Sequence, residues 1–210
     1  YLIDLAQKIK SKDGDKWLSK KIDIRKDYFE NFAITEILNT IKNDLLKINI
    51  NFDIFTHESR ILKQKLIDKV FQILKKNNLL YEGFLDKPKS EEIENWKPRK
   101  QLLFKSSNFL DDKDRPFQKT NGEWTYFAND AAYHYDKYLR NYTHLINIWG
   151  ADHIGYVHRM KSIVDVIADK KNYLEINICQ IVRLIKNKKI LKMSKREGNY
   201  VTLNNILQQV

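Results

Sequence analysis

The run HLINIWG, residues 144–150, most constrains how this 210-residue chain can fold. It is short and almost continuously apolar, as expected of a strand buried on both faces of a parallel sheet. A predicted strand at 101–106 and helix at 129–141 precede it, and a predicted helix at 152–169 and strand at 174–178 follow it. This alternation predicts an α/β fold with a parallel sheet and right-handed crossovers. Ligands of such sheets bind beyond the carboxyl ends of the strands.

The first half of the chain is predicted to be mainly helical. Residues 51–55, NFDIF, alternate as a short strand does, and Asn121-Gly122 predicts the turn of a hairpin. Apolar residues recur at helical spacing over 2–9, 33–46 and 62–74.

Prolines and charged residues concentrate at 84–100, which is typical of a joint between regions. We therefore expect a mainly helical connecting or insertion region over 1–95 and an α/β region over 96–210. The chain opens on Tyr1 and ends in LNNILQQV, so we also expect it to be a piece of a longer protein.

Composition narrows the class of protein. The formal net charge of +11 suits a polyanionic partner, although a lysine-rich composition accounts for the charge equally well. The single cysteine excludes an internal disulfide framework and a multi-cysteine zinc site. No apolar run reaches the roughly 20 residues that cross a bilayer. We expect a soluble, cytoplasmic protein with no membrane partner.

The stretch LKMSKREGNYVTL, residues 191–203, carries the strongest chemical pattern. Lys192 and Lys195 bracket Met193 and Ser194, and Gly198 gives the segment backbone freedom. Two such lysines could stabilise the charge that builds on the phosphate oxygens when a carboxylate attacks the α-phosphate of ATP. On spacing alone, two surface lysines that only solvate a loop are the favoured interpretation.

Three blocks in order, LLFKSSNFLDDKDRPFQKTNGEWTYFANDAAYHYDK, IWGADHIGYVHRMKSIV and the KMSK stretch, resemble the arginyl-tRNA synthetases of class I. The resemblance implies the second half of a Rossmann-like nucleotide-binding fold with a mainly helical insertion. It implies ATP-dependent activation of L-arginine to arginyl adenylate, then transfer to tRNA(Arg). Mg²⁺ would be bound mainly through ATP, tRNA would be needed for activation, and the enzyme would be a monomer.

The block YFANDAAYH, residues 126–134, contains a candidate specificity pair. A buried carboxylate can hold a guanidinium by two parallel charge-assisted hydrogen bonds. From residue types alone, Asn129 or Asp130 could instead cap the helix. The resemblance implies that Tyr126 and Asp130 contact the substrate arginine.

The letters HIGY at residues 153–156 come close to the HIGH element of class I synthetases. Only 38 residues separate His153 from Lys192, too few for the intervening half-sheets, and GADHIGY matches a later segment of the family. The resemblance then implies that Gly150, Asp152 and His153 border ATP, together with residues 192–195, and that His153 also borders arginine. The HIGH element, with a further carboxylate, would precede this chain, which should be inactive alone.

The acidic run at Asp111, Asp112 and Asp114 favours a charge-compensated turn over a metal site, and we expect no protein-bound metal. Four histidines are expected to be ordinary structural residues: His57, His134, His144 and His158.

Two other functional classes stay open. A noncatalytic tRNA-binding paralogue would keep the basic surface without the HIGH element, whereas an isolated basic helical module would make the KMSK match fortuitous. A synthetase for lysine or cysteine is opposed by the Tyr126 and Asp130 block and by the lack of zinc-ligand cysteines.

Overall fold

A computed structural model describes residues 2–84, 97–109, 111–186, 189–190 and 201–208 of the chain. It divides into two compact units, Tyr1–Phe55 with Ile185–Val210, and Thr56–Leu184. The expected boundary at 95–96 falls among residues outside the described ones and stays a prediction.

The described residues form a mixed α/β structure of helices and small sheets. The helices are α1 (Leu2–Asp13), α2 (Ile22–Leu46), α3 (Glu58–Lys63), α4 (Leu66–Lys76), α5 (Tyr126–Tyr138), α6 (Val157–Ala168) and α7 (Leu203–Leu207). The strands are β1 (Leu80–Phe84), β2 (Lys100–Phe104), β3 (Arg115–Gln118), β4 (Leu145–Gly150), β5 (Leu174–Cys179), β6 (Ile185–Lys186) and β7 (Lys189–Ile190). No helix of the described ranges has both the length and the apolar character needed to cross a membrane.

The first unit is built on α1 and α2, which confirms the predicted helices at 2–9 and 33–46. Its aromatic contacts centre on Asp13, whose Oδ2 accepts hydrogen bonds of 2.6 Å from Trp17 Nε1 and from the Tyr28 hydroxyl. The Trp17 and Tyr28 rings stack at 4.0 Å between centroids. These contacts join the end of α1 to α2.

The strand predicted at 51–55 is wrong, because that segment has no strand partner in the described part of the chain. Its aromatic residues instead contact side chains of the same unit. Phe52 and Phe55 meet edge to face at 5.8 Å, and Lys42 Nζ lies 4.6 Å from the centre of the Phe55 ring.

The core of the second unit lies between α4, α5 and α6. The helix predicted over 62–74 is divided into α3 and α4 at Lys65, whose φ of 52° is left-handed. From this break α4 starts in a new direction and buries Leu66, Val70 and Leu74. The periodicity therefore identified the buried face but not the break.

The predicted parallel sheet is confirmed for β4 and β5 only. These strands pair in parallel from Leu145↔Leu174 to Gly150↔Cys179, and a 3-10 segment at Ala151–Tyr156 and α6 connect them. Strand β2 lies between β1 and β3 in a separate antiparallel sheet. The short link between β2 and β3 explains this, since a parallel connection needs a dozen or more residues.

Two local predictions need correction. Strand β4 is covered on one face only, since Leu145 and Asn147 are buried while Ile146 and Ile148 are exposed. The helix predicted over 152–169 begins as the 3-10 segment Ala151–Tyr156 and becomes α-helical at Val157.

The turn predicted at Asn121-Gly122 is confirmed. Gly122 has a φ of +82°, and Lys119 N donates to Glu123 O at 2.8 Å across the turn. A single bridge, Gln118↔Trp124, extends the hairpin. Helix α5 begins directly after this hairpin.

Leu74→Ala in the core should lower the free energy of unfolding by about 2–5 kcal/mol, because it removes a fully buried side chain and leaves a cavity. Leu62→Ala is the matched control, since Leu62 lies on α3 with 49% of its surface exposed. It should cost less than about 1 kcal/mol. Urea unfolding followed by circular dichroism measures both, and equal losses would contradict this description of the core.

Candidate functional site

A half-buried carboxylate, that of Asp130, lies at the centre of the candidate site. It is on the second turn of α5, and its Oδ2 accepts a hydrogen bond of 3.0 Å from the Tyr156 hydroxyl. Burial raises the pKa of Asp130, and the bond from Tyr156 opposes that rise. Because Tyr156 ends the 3-10 segment that follows β4, Asp130 lies beside the carboxyl end of that strand. This is where parallel sheets bind ligands.

Helix α5 is capped by Thr125, so the alternative that Asn129 or Asp130 caps it is wrong. The Thr125 hydroxyl accepts the Ala128 N–H at 3.3 Å. Asp130 thus lies inside the helix, with its carboxylate free for other partners.

A second carboxylate, that of Glu58, acts electrostatically on Asp130. Its negative charge raises the pKa of Asp130, and Asn129 Nδ2 donates to Glu58 Oε1 at 3.3 Å. Positive charge at His153 and Lys137 acts in the opposite direction and lowers that pKa. Two carboxylates that repel one another suit a cationic ligand, because the ligand removes the repulsion.

The ring of Tyr156 packs against two other aromatic rings. Its ring centre lies 6.1 Å from that of Phe127 and 5.9 Å from that of Trp149, and the Arg159 guanidinium lies 4.9 Å over its face. Burial, followed by the charge of Asp130, raises the pKa of Tyr156 far above its usual range. The tyrosine is therefore a hydrogen-bond donor at any physiological pH.

A buried hydrogen-bond chain supports the backbone of Asp130. His134 Nδ1 lies 2.8 Å from the Asp130 carbonyl oxygen, and His134 Nε2 lies 2.7 Å from Asn147 Nδ2. Lys137 Nζ donates to Asn147 Oδ1 at 3.0 Å, which fixes the amide orientation. The Asn147 N–H then donates to Nε2, so His134 is neutral and donates from Nδ1.

The electrostatics of His134 agree with this tautomer. Burial, followed by the charge of Lys137, lowers its pKa to about 4. The expectation that His134 is a structural histidine is confirmed, and the structure adds that it connects β4 to the carbonyl group of Asp130.

Three predicted residues, Gly150, Asp152 and His153, lie at or just after the end of β4. Asp152 and His153 are exposed, with 3.5 Å between Oδ2 and Nε2, and the His153 ring centre lies 6.2 Å from that of Trp149. A Cβ at Gly150 would stand 2.5 Å from Asp152 Oδ1, so a larger residue there displaces that carboxylate. His153 also lowers the pKa of Asp130. The roles of Gly150, Asp152 and His153 in binding stay predictions.

Tyr126 is the first residue of α5, one turn before Asp130, so helical spacing places both on one side of the helix. It is 86% exposed, and its hydroxyl makes no hydrogen bond in the described part of the chain. Its contact with a substrate stays a prediction. Lys192, Met193, Ser194 and Lys195 lie outside the described residues.

The acidic run at Asp111–Asp114 is engaged by protein donors. Asp111 accepts from Arg115 Nε at 2.7 Å and from Ser106 Oγ at 2.6 Å, and Asp114 accepts from Ser107 Oγ at 2.6 Å. Burial alone would raise the pKa of Asp111, but the bonds from Arg115 and Ser106 hold it well below its usual range. The charge-compensated turn is confirmed.

Sequence reasoning missed Tyr156 and Glu58. Tyr156 drew notice only as the last letter of HIGY, and Glu58 is an acidic residue in the first turn of a short helix, which is ordinary. Only the tertiary structure places either of them near Asp130. The sequence gives little sign of either residue, because both lie far along the chain from Asp130.

The whole chain aligns with known proteins. It is 41% identical over 210 residues to an arginine–tRNA ligase of Ruegeria pomeroyi, 42% to one of Cereibacter sphaeroides and 38% to one of Ehrlichia chaffeensis. The chain is homologous to arginine–tRNA ligases. It covers 36% of the length of each of these relatives. No family model matches it.

Solved structures agree with this homology to arginine–tRNA ligases. An arginyl-tRNA synthetase of Campylobacter jejuni superposes on the whole chain with a TM-score of 0.78 and 29% identity, and the match covers 41% of that protein. An arginyl-tRNA synthetase of Plasmodium falciparum shares the fold over 84% of the chain, with a TM-score of 0.54 and 18% identity. That match covers 29% of the Plasmodium protein.

Acid should destabilise the fold through His134. Its pKa is about 4 when folded and about 6.5 when unfolded, so the unfolded chain binds more protons between these values. Stability from this group is complete above pH 6.5 and is lost as the pH falls towards 4, by up to about 1.4 kcal/mol per pH unit.

Urea unfolding between pH 7 and 4.5 measures this slope. His134→Gln should reduce it, whereas the control His144→Gln, at an exposed histidine beside Glu175, should leave it nearly unchanged. Equal slopes in all three proteins would show that His134 is not neutral and buried.

Proposed function

We propose that this chain is the part of an arginine–tRNA ligase that binds the arginine side chain and carries the KMSK loop. The observation that supports this most is the Asp130 carboxylate, half-buried beside the carboxyl end of β4 and next to the charge of Glu58. The homology over the full chain supplies the family.

The chemistry of Asp130 suits a guanidinium. Arginine offers five N–H donors in a planar fork, and a carboxylate can accept two of them in parallel. Burial and Glu58 raise the free energy of the Asp130 anion, so a cation that pairs with it gains more than it would at an exposed carboxylate. Lysine lacks the planar fork and cannot reproduce this geometry. Tyr126 would border the same side chain.

The proposed reaction begins when the arginine carboxylate attacks the α-phosphorus of ATP. A bond forms between the carboxylate oxygen and phosphorus, the bond to the β-phosphate oxygen breaks, and pyrophosphate leaves arginyl adenylate behind. Lys192 and Lys195 would stabilise the charge on the phosphate oxygens in the transition state. A terminal ribose hydroxyl of tRNA(Arg) then attacks the arginyl carbonyl carbon, and AMP leaves.

The nucleotide would lie at the end of β4. Gly150, Asp152 and His153 come directly after or at the end of that strand and would border ATP with Met193 and Ser194. His153 would also border arginine, since its charge already acts on Asp130. In this arrangement the α-phosphate would lie between the ATP and arginine subsites.

Magnesium is proposed to enter with the nucleotide. Within the described ranges, no three acidic, histidine or cysteine side chains are close enough to form a metal cage. Mg²⁺ commonly keeps several waters and binds through substrate phosphates, and its chemistry there is to neutralise phosphate charge. The side chains that would act on the arginine and the α-phosphate are those of Tyr126, Asp130, Lys192 and Lys195.

The same proposal extends to the tRNA partner, the oligomeric state and the cellular location. The net charge of +11 suits tRNA(Arg), whose phosphates favour a basic protein. We propose a monomeric, cytoplasmic enzyme with no membrane partner. The chain covers 36% of the length of its relatives, so the HIGH element would lie in another part of the full-length protein.

Asp130→Asn in the full-length enzyme should raise the KM for arginine by the equivalent of about 3–5 kcal/mol, because the guanidinium loses its charged partner. Pyrophosphate exchange in the presence of tRNA measures this. Asp68→Asn, at an exposed residue of α4, is the matched control and should leave the KM unchanged. An unchanged KM in the Asp130 variant would refute the assignment.

The 210 residues alone should not catalyse pyrophosphate exchange, with or without tRNA, because half of the ATP site is proposed to lie elsewhere. The full-length enzyme at the same concentration is the positive control. Measurable exchange by the isolated chain would sink this proposal of an incomplete site.

A further inference from the structure

We propose that Tyr156 is a positioning residue for arginine selection, because its hydroxyl holds the Asp130 carboxylate in the orientation that accepts a guanidinium. The inference rests on the proposed function of Asp130. It concerns a residue of the 3-10 segment Ala151–Tyr156 that touches the carboxylate and not the reacting atoms.

The hydrogen bond leaves room for the substrate. In the described part of the chain, Tyr156 is the one hydrogen-bond donor to the Asp130 side chain, and it uses Oδ2 at 3.0 Å. A carboxylate has about four lone-pair sites on its two oxygens. One bond from Tyr156 therefore leaves a site on each oxygen for the two parallel N–H groups of a guanidinium.

The hydroxyl is itself well fixed. The Tyr156 ring lies against Phe127 and Trp149, with the Arg159 guanidinium over its face. Arg159 Nη2 donates to the Gly155 carbonyl at 2.9 Å, which keeps the guanidinium next to the ring. The tyrosine can therefore impose an orientation on Asp130 before any ligand arrives, and the ligand does not have to order it.

The same bond favours the ionised form of Asp130. Burial and the charge of Glu58 favour its neutral form, whereas Tyr156, His153 and Lys137 favour the carboxylate. A neutral Asp130 cannot form an ion pair with a guanidinium, so arginine binding weakens as the pH falls through the pKa of Asp130. Without the Tyr156 hydroxyl that pKa is higher, and the loss begins at a higher pH.

Tyr156→Phe tests the inference because it keeps the ring and removes only the hydroxyl. The KM for arginine and kcat are measured in the full-length enzyme by tRNA-dependent pyrophosphate exchange from pH 6 to 8.5. The matched control is Tyr173→Phe, which removes a hydroxyl that donates to the Tyr142 carbonyl at 2.5 Å, before β5 begins. Asp130→Asn is measured beside both.

Tyr156→Phe should raise the KM for arginine about tenfold at neutral pH, as expected for one hydrogen bond to a charged group. Its kcat at saturating arginine should stay within twofold of the parent value, and the acid-side rise of KM should move to higher pH. Tyr173→Phe should change neither KM nor the pH profile, even if it lowers the melting temperature.

Three results would overturn the inference in different ways. If Asp130→Asn raises the KM while Tyr156→Phe leaves both KM and pH profile unchanged, Asp130 binds arginine without help from Tyr156. If Asp130→Asn also leaves the KM unchanged, the proposed role of Asp130 fails and the inference fails with it. A kcat loss without a KM change in Tyr156→Phe also contradicts a positioning role for arginine.

Discussion

The candidate site depends on the half-buried carboxylate of Asp130 and on the groups that compensate its charge. Burial of an anion is costly unless hydrogen bonds or charges compensate it. Here the compensation comes from the Tyr156 hydroxyl and from positive charge at Lys137 and His153, while Glu58 works against it. The carboxylate is therefore stable enough to persist and still gains from a cation. This balance distinguishes a candidate binding group from a structural ion pair such as Asp111 with Arg115, where two donor atoms of the arginine already engage the acid.

The core of the second unit fixes where that carboxylate lies. Helix α5 buries Phe127, Ala128, Ala131 and Ala132. Three of these four residues are alanines, whose small side chains let α5 approach its neighbours closely. The polar chain from Lys137 through Asn147 to His134 then ties α5 to β4, on the same side of the helix as the Asp130 carbonyl. Apolar packing thus sets the distance between α5 and the sheet, and the buried hydrogen bonds set the rotation of the helix.

Local patterns in the sequence predicted the elements around the site but not the contacts within it. The apolar run at 144–150 identified β4, and the Asn121-Gly122 dipeptide identified the turn of the hairpin before α5. Both depend mainly on neighbouring residues in the sequence. The break at Lys65 and the missing strand at 51–55 were not foreseen, since a left-handed residue and the lack of a pairing partner are tertiary outcomes. Tyr156 and Asp130 are 26 positions apart, and no periodicity joins them.

Proton and ligand binding at Asp130 are linked in the proposed role. A guanidinium that binds the carboxylate must lower the pKa of Asp130, and by the same free energy protonation of Asp130 must weaken arginine binding. Burial and Glu58 raise the starting pKa, which enlarges the change that the substrate produces. Arginine is protonated at every physiological pH, so the titration of this subsite belongs to the protein alone. In the proposed role, the Tyr156 hydroxyl would therefore act in two ways through one bond, because it would orient the carboxylate and favour the anionic form that pairs with a guanidinium.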